Sequence, residues 1–105
     1  MTAKIKLSRN VDKKLFLRTL LKKIHAKDPD IWCDSERAWV CGCNENGDII
    51  EIDVFDNSVI IKSKDKLLNY PPTFQCDAEE IVEHVLELDK NPAMIEVNHD
   101  EKGNS

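Results

Sequence analysis

The chain has 105 residues, a formal net charge of −5, 41% hydrophobic and 33% charged residues, and only three Gly and four Pro. That length and balance describe one folded domain with a single modest core, and exclude a disordered or fibrous chain. No run approaches the ~18 apolar residues of a membrane span, and the N-terminus lacks the apolar core of a secretion signal. A cytoplasmic setting is therefore expected, with Cys33, Cys41, Cys43 and Cys76 reduced. The charge is unevenly placed. Residues 1–27 carry nine Lys or Arg against one Asp (+8), and residues 28–105 carry six against nineteen acids (−13).

Residues 3–7 (Ala-Lys-Ile-Lys-Leu) alternate, as an edge strand with Lys4 and Lys6 facing solvent would. Asn10 offers an N-cap, and Val11 to about Lys27 reads as a helix that Asp28-Pro29 stops. Its apolar stripe is Phe16, Leu17, Leu20, Leu21 and Ile24, about 140° wide at 100° per residue, which suits a helix lying on a sheet. Lys14, Arg18, Lys22 and His25 border that stripe. Residues 30–36 read as a loop in which Trp32 covers one end of the core.

Residues 37–63 read as a three-stranded antiparallel meander. Asn46-Gly47 is the strongest short hairpin signal in the chain, because a type I′ turn needs positive φ at both central residues. A two-residue loop there sets Glu45 opposite Asp48, Cys43 opposite Ile50, Cys41 opposite Ile52 and Trp39 opposite Val54. With side chains alternating, Trp39, Cys41, Cys43, Ile50, Ile52 and Val54 then share the core face. A tight turn near residues 56–58 brings Val59 and Ile61 to the same side as Ile52 and Val54. The other face shows Val40, Phe55 and Ile60 among Glu51, Asp53 and Lys62, too apolar a set for a plain solvent face.

Leu67-Leu68 returns the chain to the apolar side, and Tyr70 to Phe74, with Pro71-Pro72, makes a stiff extended connector. Asp77 caps a second helix, with Glu80 three positions on. Ile81, Val82, Val85 and Leu86 form its buried stripe, with Ala78 and Leu88 alongside, and Asn91-Pro92 ends it. Residues 94–97 read as a last short strand and 98–105 as a frayed tail. The expected fold is a single α+β domain over residues 1–97. It is a two-layer sandwich of order α-β-β-β-α, with both helices on one face of the meander and extra edge strands at 3–7 and 94–97.

Chemistry-bearing motifs are scarce. Four Cys and three His lack the C-x₂-C or H-x₃-H spacing of a zinc site, so no metal or cofactor is expected. No Ser or Cys is placed with a His and an orienting group, and the three glycines are isolated rather than clustered into a phosphate loop. Glu51 and Asp53 share a sheet face without another acid–base residue, which reads as solvation. No catalytic residue is expected, and an enzyme is disfavoured.

Two binding readings remain. The first is a non-enzymatic module that binds the basic surface of another protein. Glu79, Glu80, Glu83 and Glu87 with Asp48, Glu51 and Asp53 would make the contact, and Val40, Phe55 and Ile60 would provide a second surface or a homodimer face. Small acidic single-domain chains without catalytic motifs are typical of phage anti-defence inhibitors, DNA mimics and immunity proteins, so an inhibitor or regulator, viral or from a mobile element, is the class expected. The second reading is nucleic-acid binding through Lys14, Arg18 and Lys22 on the basic helix. The α-β-β-β-α order is similar to that of double-stranded-RNA-binding domains. In that family the second helix opens on a basic cluster, and here it opens on Asp77-Ala78-Glu79-Glu80.

Overall fold

The computed structural model describes residues 1–65 and 71–95. The expected Leu67-Leu68 return, Tyr70, the end of the 94–97 strand and the 98–105 tail lie outside them. The described elements are β1 (Thr2–Lys6), α1 (Lys13–Lys23), β2 (Trp32–Cys33), β3 (Ala38–Cys43), β4 (Asp48–Val54), β5 (Ser58–Asp65) and α2 (Ala78–Lys90), followed by a 3₁₀ turn at Pro92–Met94. The strands form one antiparallel sheet in the order β1-β5-β4-β3-β2. An α+β sandwich with both helices on one face is what the sequence predicts. The meander and the edge strand expected at 3–7 (β1) are present, and the described sheet reaches five strands through β2. β2 comes from a stretch expected to be loop, and the 3₁₀ turn occupies the start of the expected 94–97 strand.

The β3–β4 register differs from expectation by one residue. Ala38 pairs with Val54, Val40 with Ile52 and Gly42 with Ile50, while Trp39 stands opposite Asp53 and Cys41 opposite Glu51. The cause is local. The loop is Glu45-Asn46-Gly47, three residues rather than two. Asn44 N–H donates to Asp48 O at 3.0 Å, and Gly47 N–H to Asn44 O at 3.1 Å. Only Gly47 takes positive φ (85°) in this loop, as in a type I turn closed by a glycine bulge rather than a type I′ turn. The Asn44 side chain, itself buried, selects this geometry. Its Oδ1 accepts from the N–H groups of Asn46 and Asp48, both at 3.0 Å, and its amide donates to Asp48 Oδ2 at 3.2 Å.

A slip of one residue exchanges the faces of β3. The core face is Ala38, Val40 and Gly42 beside Ile50, Ile52, Val54, Val59 and Ile61, and its apolar side chains are buried. These small residues leave room for the helices and for Phe74. Gly42 is needed there: an added Cβ would lie 2.7 Å from Thr73 Cβ and 2.9 Å from Phe74 Cε2. The connector is fastened at this point, with Thr73 and Phe74 N–H both donating to Cys43 O.

α1 packs over β3 and β4, and α2 over β1 and β5. The predicted stripe of α1 is buried in full. Its cap is Asp12, not Asn10: Asp12 Oδ1 accepts from Leu15 N–H at 3.0 Å. The helix also ends earlier than Asp28-Pro29 suggests. His25 adopts φ 54°, Ala26 N–H donates to Leu21 O and His25 N–H to Lys22 O. That is a Schellman closure with His in the position usually held by Gly. In α2, Asp77 is the cap, its Oδ1 accepting from Glu80 N–H at 2.9 Å. The buried stripe is Ala78, Ile81, Val85 and Leu88, with Val82 half-buried and Leu86 exposed.

Candidate functional site

With the helices covering one face, the other face of the sheet is open, and the register decides what it carries. From β2 toward β1 it presents Trp32, Trp39 and Cys41, then Glu51 and Asp53, then Ile60 and Lys62, and finally Lys4. Trp32 and Trp39 are direct cross-strand partners. Trp32 is 61% exposed and so does not cover the end of the core as its sequence position suggests.

Arg37 ties this face together. The Asp34 carboxylate accepts the N–H groups of Glu36 (2.8 Å) and Arg37 (2.9 Å), which shapes the turn between β2 and β3. Those backbone bonds hold the Asp34 carboxyl below its ordinary range. So positioned, Arg37 lays its guanidinium 4.2 Å from the Trp39 ring centroid. Its Nη1 lies 2.7 Å from Asp53 Oδ1 and 3.6 Å from Glu51 Oε2. Lys62 Nζ completes the network at 3.6 Å from both carboxylates. The Asp53 side chain is only 2% exposed. Burial, and then the adjacent Glu51, push its carboxyl above the ordinary range, against the pull of Arg37 and Lys62.

Glu51 and Asp53 do share a face, as expected, but they are bound in an ion network rather than simply solvated. They do not offer a free acidic surface. Asp48 is half-buried and bonded to Asn44. Val40 lies beneath the helices, on the face opposite to that predicted, whereas Phe55 and Ile60 are half-buried. Glu79, Glu80, Glu83 and Glu87 are exposed on α2, in the other layer. Glu87 there receives Lys23 Nζ at 2.7 Å, which lowers its carboxyl below the usual range. The expected acidic contact surface is thus divided between two sides of the molecule. Lys14, Arg18 and Lys22 are exposed on α1.

Neither Cys41 nor Cys76 is activated. Cys41 is exposed, yet its thiol is pushed up by partial burial and by Glu51 and Asp53, which disfavours the thiolate. Cys76 is raised by burial and by Glu80. Cys43 is buried, with its Sγ 3.7 Å from Pro71 O. Among the described residues no three His, Cys, Asp or Glu are grouped to hold a metal ion. Among the same residues no helix is long and apolar enough to cross a membrane.

Sequence reasoning missed Trp32, Arg37 and Trp39 as surface residues. The signal available was the two aromatics flanking Asp34-Ser35-Glu36-Arg37, a turn-rich stretch able to close a short hairpin. Comparison with protein families, curated proteins and solved structures finds no match to this chain.

Proposed function

We propose that this chain is a small non-enzymatic protein-binding module, of the inhibitor or regulator kind, that meets its partner with the open face of the sheet. One observation carries the reading: Trp32 stands 61% exposed at the sheet edge beside Trp39 and Arg37. Burying a side chain of this size returns about 1.5–3 kcal/mol, so a fold gains nothing by leaving it in water. Trp and Arg are also the residues that most often dominate binding energy at protein interfaces, in fixed and desolvated positions. Arg37 is held in place before any partner arrives, by the Asp34 turn and by Asp53, which reduces the ordering cost of association. Because Arg37 and Lys62 neutralise Glu51 and Asp53, the partner meets an aromatic and aliphatic centre with a balanced ionic rim. The partner surface is then an apolar pocket able to receive Trp32. A basic partner surface instead suits the outer side of α2, where Glu79 and Glu83 accompany the exposed Leu86.

Affinity capture from the native host, using the wild-type chain, Trp32→Ala, and a Glu79→Lys/Glu83→Lys variant, separates the two surfaces. Loss of the partner with Trp32→Ala alone is the expected result, and Trp32 is exposed enough that the fold should be untouched. Undiminished recovery by Trp32→Ala would end this reading. A concentration-dependent dimer abolished by Trp32→Ala would make the partner a second copy of the chain.

A further inference from the structure

β1 closes one end of the sheet, and among the described residues no strand pairs with its outer side. The ladder with β5 decides which of its backbone groups are left over. Met1 and Ser63 exchange both bonds: the Met1 amino group donates to Ser63 O, and Ser63 N–H to Met1 O, each at 2.8 Å. At the other end Leu7 N–H donates to Asn57 O at 2.7 Å. Bonded positions alternate in an antiparallel pair, so Met1, Ala3, Ile5 and Leu7 bond inward to β5. The N–H and C=O groups of Thr2, Lys4 and Lys6 therefore point away from the sheet.

Ser8 is next in that outward series, and its N–H is taken. Asp89 Oδ1 on α2 accepts from Ser8 N–H at 2.9 Å and from Ser8 Oγ at 2.8 Å. This contact identifies the flank of α2 that borders the β1 edge. Leu86 and Val82 precede Asp89 by three and seven residues, on the same stripe of the helix. Leu86 is 43% exposed and Val82 half-buried. Glu87 marks the opposite flank, where it meets Lys23 of α1. A channel results, with the bare backbone of β1 on one side and Val82 and Leu86 on the other, closed at one end by Asp89 and Ser8.

On the open face the channel is bordered by Lys4 and Lys6, both exposed. No ion pair joins either to an acid among the described residues. Lysines on an edge strand oppose pairing with another copy of that edge, because antiparallel β1 strands would set these cations against one another. A strand with acids at those positions is attracted instead. On the helix side the exposed Glu79 and Glu83 disfavour further acids, and Val82 and Leu86 suit apolar side chains.

We propose that β1 is a strand-addition site for an extended segment of another protein in which acidic and apolar residues alternate. The backbone of that segment bonds to Thr2, Lys4 and Lys6, which supplies affinity without regard to side chains. Its acids lie across from Lys4 and Lys6, and its apolar residues lie against Val82 and Leu86. The site is at the opposite edge of the sheet from Trp32, about 19 Å away over four strand spacings.

The test is an amide NMR titration of the full chain, with hydrogen exchange, against two blocked hexapeptides, one alternating Glu and Val and the other Lys and Val. The Glu peptide should shift residues 2–8 and 82–89 saturably. It should slow exchange of the Lys4 and Lys6 amides, while that of Ile5, already bonded to β5, changes little. The Lys peptide should bind about tenfold more weakly, the difference expected of two cross-strand charge pairs. Lys4→Glu with Lys6→Glu should reverse this preference while the spectrum stays dispersed, and Leu86→Asp should weaken the Glu peptide. Absence of shifts at residues 2–8, unchanged exchange of Lys4 and Lys6, or equal affinity for the two peptides would overturn the proposal. Protection of these amides that rises with protein concentration alone would also overturn it, by giving the edge to a second copy. Trp32→Ala should bind the Glu peptide as wild type does, so this site and the Trp32 surface are judged separately.

Discussion

Trp39 stands directly across the β3–β4 ladder from Asp53, and Arg37 joins the two, stacked 4.2 Å from the indole centroid and 2.7 Å from the Asp53 carboxylate. A nearly inaccessible carboxylate on an open sheet face is thereby made tolerable. The cation that compensates it is also half of an aromatic platform, so stability and the proposed contact surface depend on one side chain.

Among the described residues, replacing Arg37 with Ala leaves Lys62, at 3.6 Å, as the cation that compensates Asp53 beside Glu51. Breaking a buried pair from one side costs ~3–5 kcal/mol when both partners are buried. Arg37 is 32% exposed, so about 2–3 kcal/mol is expected by urea denaturation. Adding Asp53→Asn should recover much of that loss, giving a coupling of at least ~1 kcal/mol in a double-mutant cycle. Strict additivity would show that the pair contributes nothing to the fold.

The same carboxyl sets a pH dependence of defined sign. Burial and Glu51 hold Asp53 above its ordinary value of 3.8 in the folded chain. The native state then binds this proton more readily than the unfolded state. Its contribution favours the fold in full below the unfolded value and is lost as pH rises through the higher folded one. Asp34 and Glu87, both lowered, act in the opposite sense and lose their contribution on acidification. They are present in wild type and in Asp53→Asn alike and cancel in a comparison. Wild type should therefore gain stability relative to Asp53→Asn between pH 7 and pH 4.5. A constant difference in unfolding midpoint, or one that shrinks for wild type, would contradict this account.

At Gly42 the connector comes too close for a side chain. Ala there places a Cβ 2.7 Å from both Thr73 Cβ and Thr73 Oγ1. Overpacking of this kind costs about 1–3 kcal/mol. Thr73→Gly combined with Gly42→Ala should restore part of the loss, because it removes two of the three close contacts. A Gly42→Ala variant as stable as wild type would show that the connector is free to move away from the sheet.

Both helices were legible as elements, and the buried stripe of α1 residue by residue, whereas in α2 Leu86, expected to be buried, is exposed. The i, i+3, i+4 spacing of Phe16, Leu17, Leu20, Leu21 and Ile24 leaves one way to bury them, and Asp77 before Ala78-Glu79-Glu80 marks a helix start. The caps of α1 were less so. Asn10 and Asp12 are both competent N-caps, and a histidine closing a helix in left-handed backbone has no sequence signature.

The sheet marks the division most sharply. The period-two alternation of β4 and β5 determined by itself that Ile50, Ile52, Val54, Val59 and Ile61 face one way, and they do. It did not determine β3, because Ala38, Val40 and Gly42 are as acceptable in a core as Trp39, Cys41 and Cys43. The choice fell to the length of a loop, and that length was set by the bonds of the buried Asn44 side chain and by Thr73 and Phe74 closing over Gly42. The Asn44 bonds are local but depend on that side chain being buried, and the contacts of Gly42 with Thr73 and Phe74 join residues about thirty positions apart, of which local pattern carries no trace. The sequence alone determined an amphipathic sheet under two helices. Only the tertiary structure decided which side of β3 is core, and with it that Trp39, Arg37 and the exposed Trp32 belong to the open face.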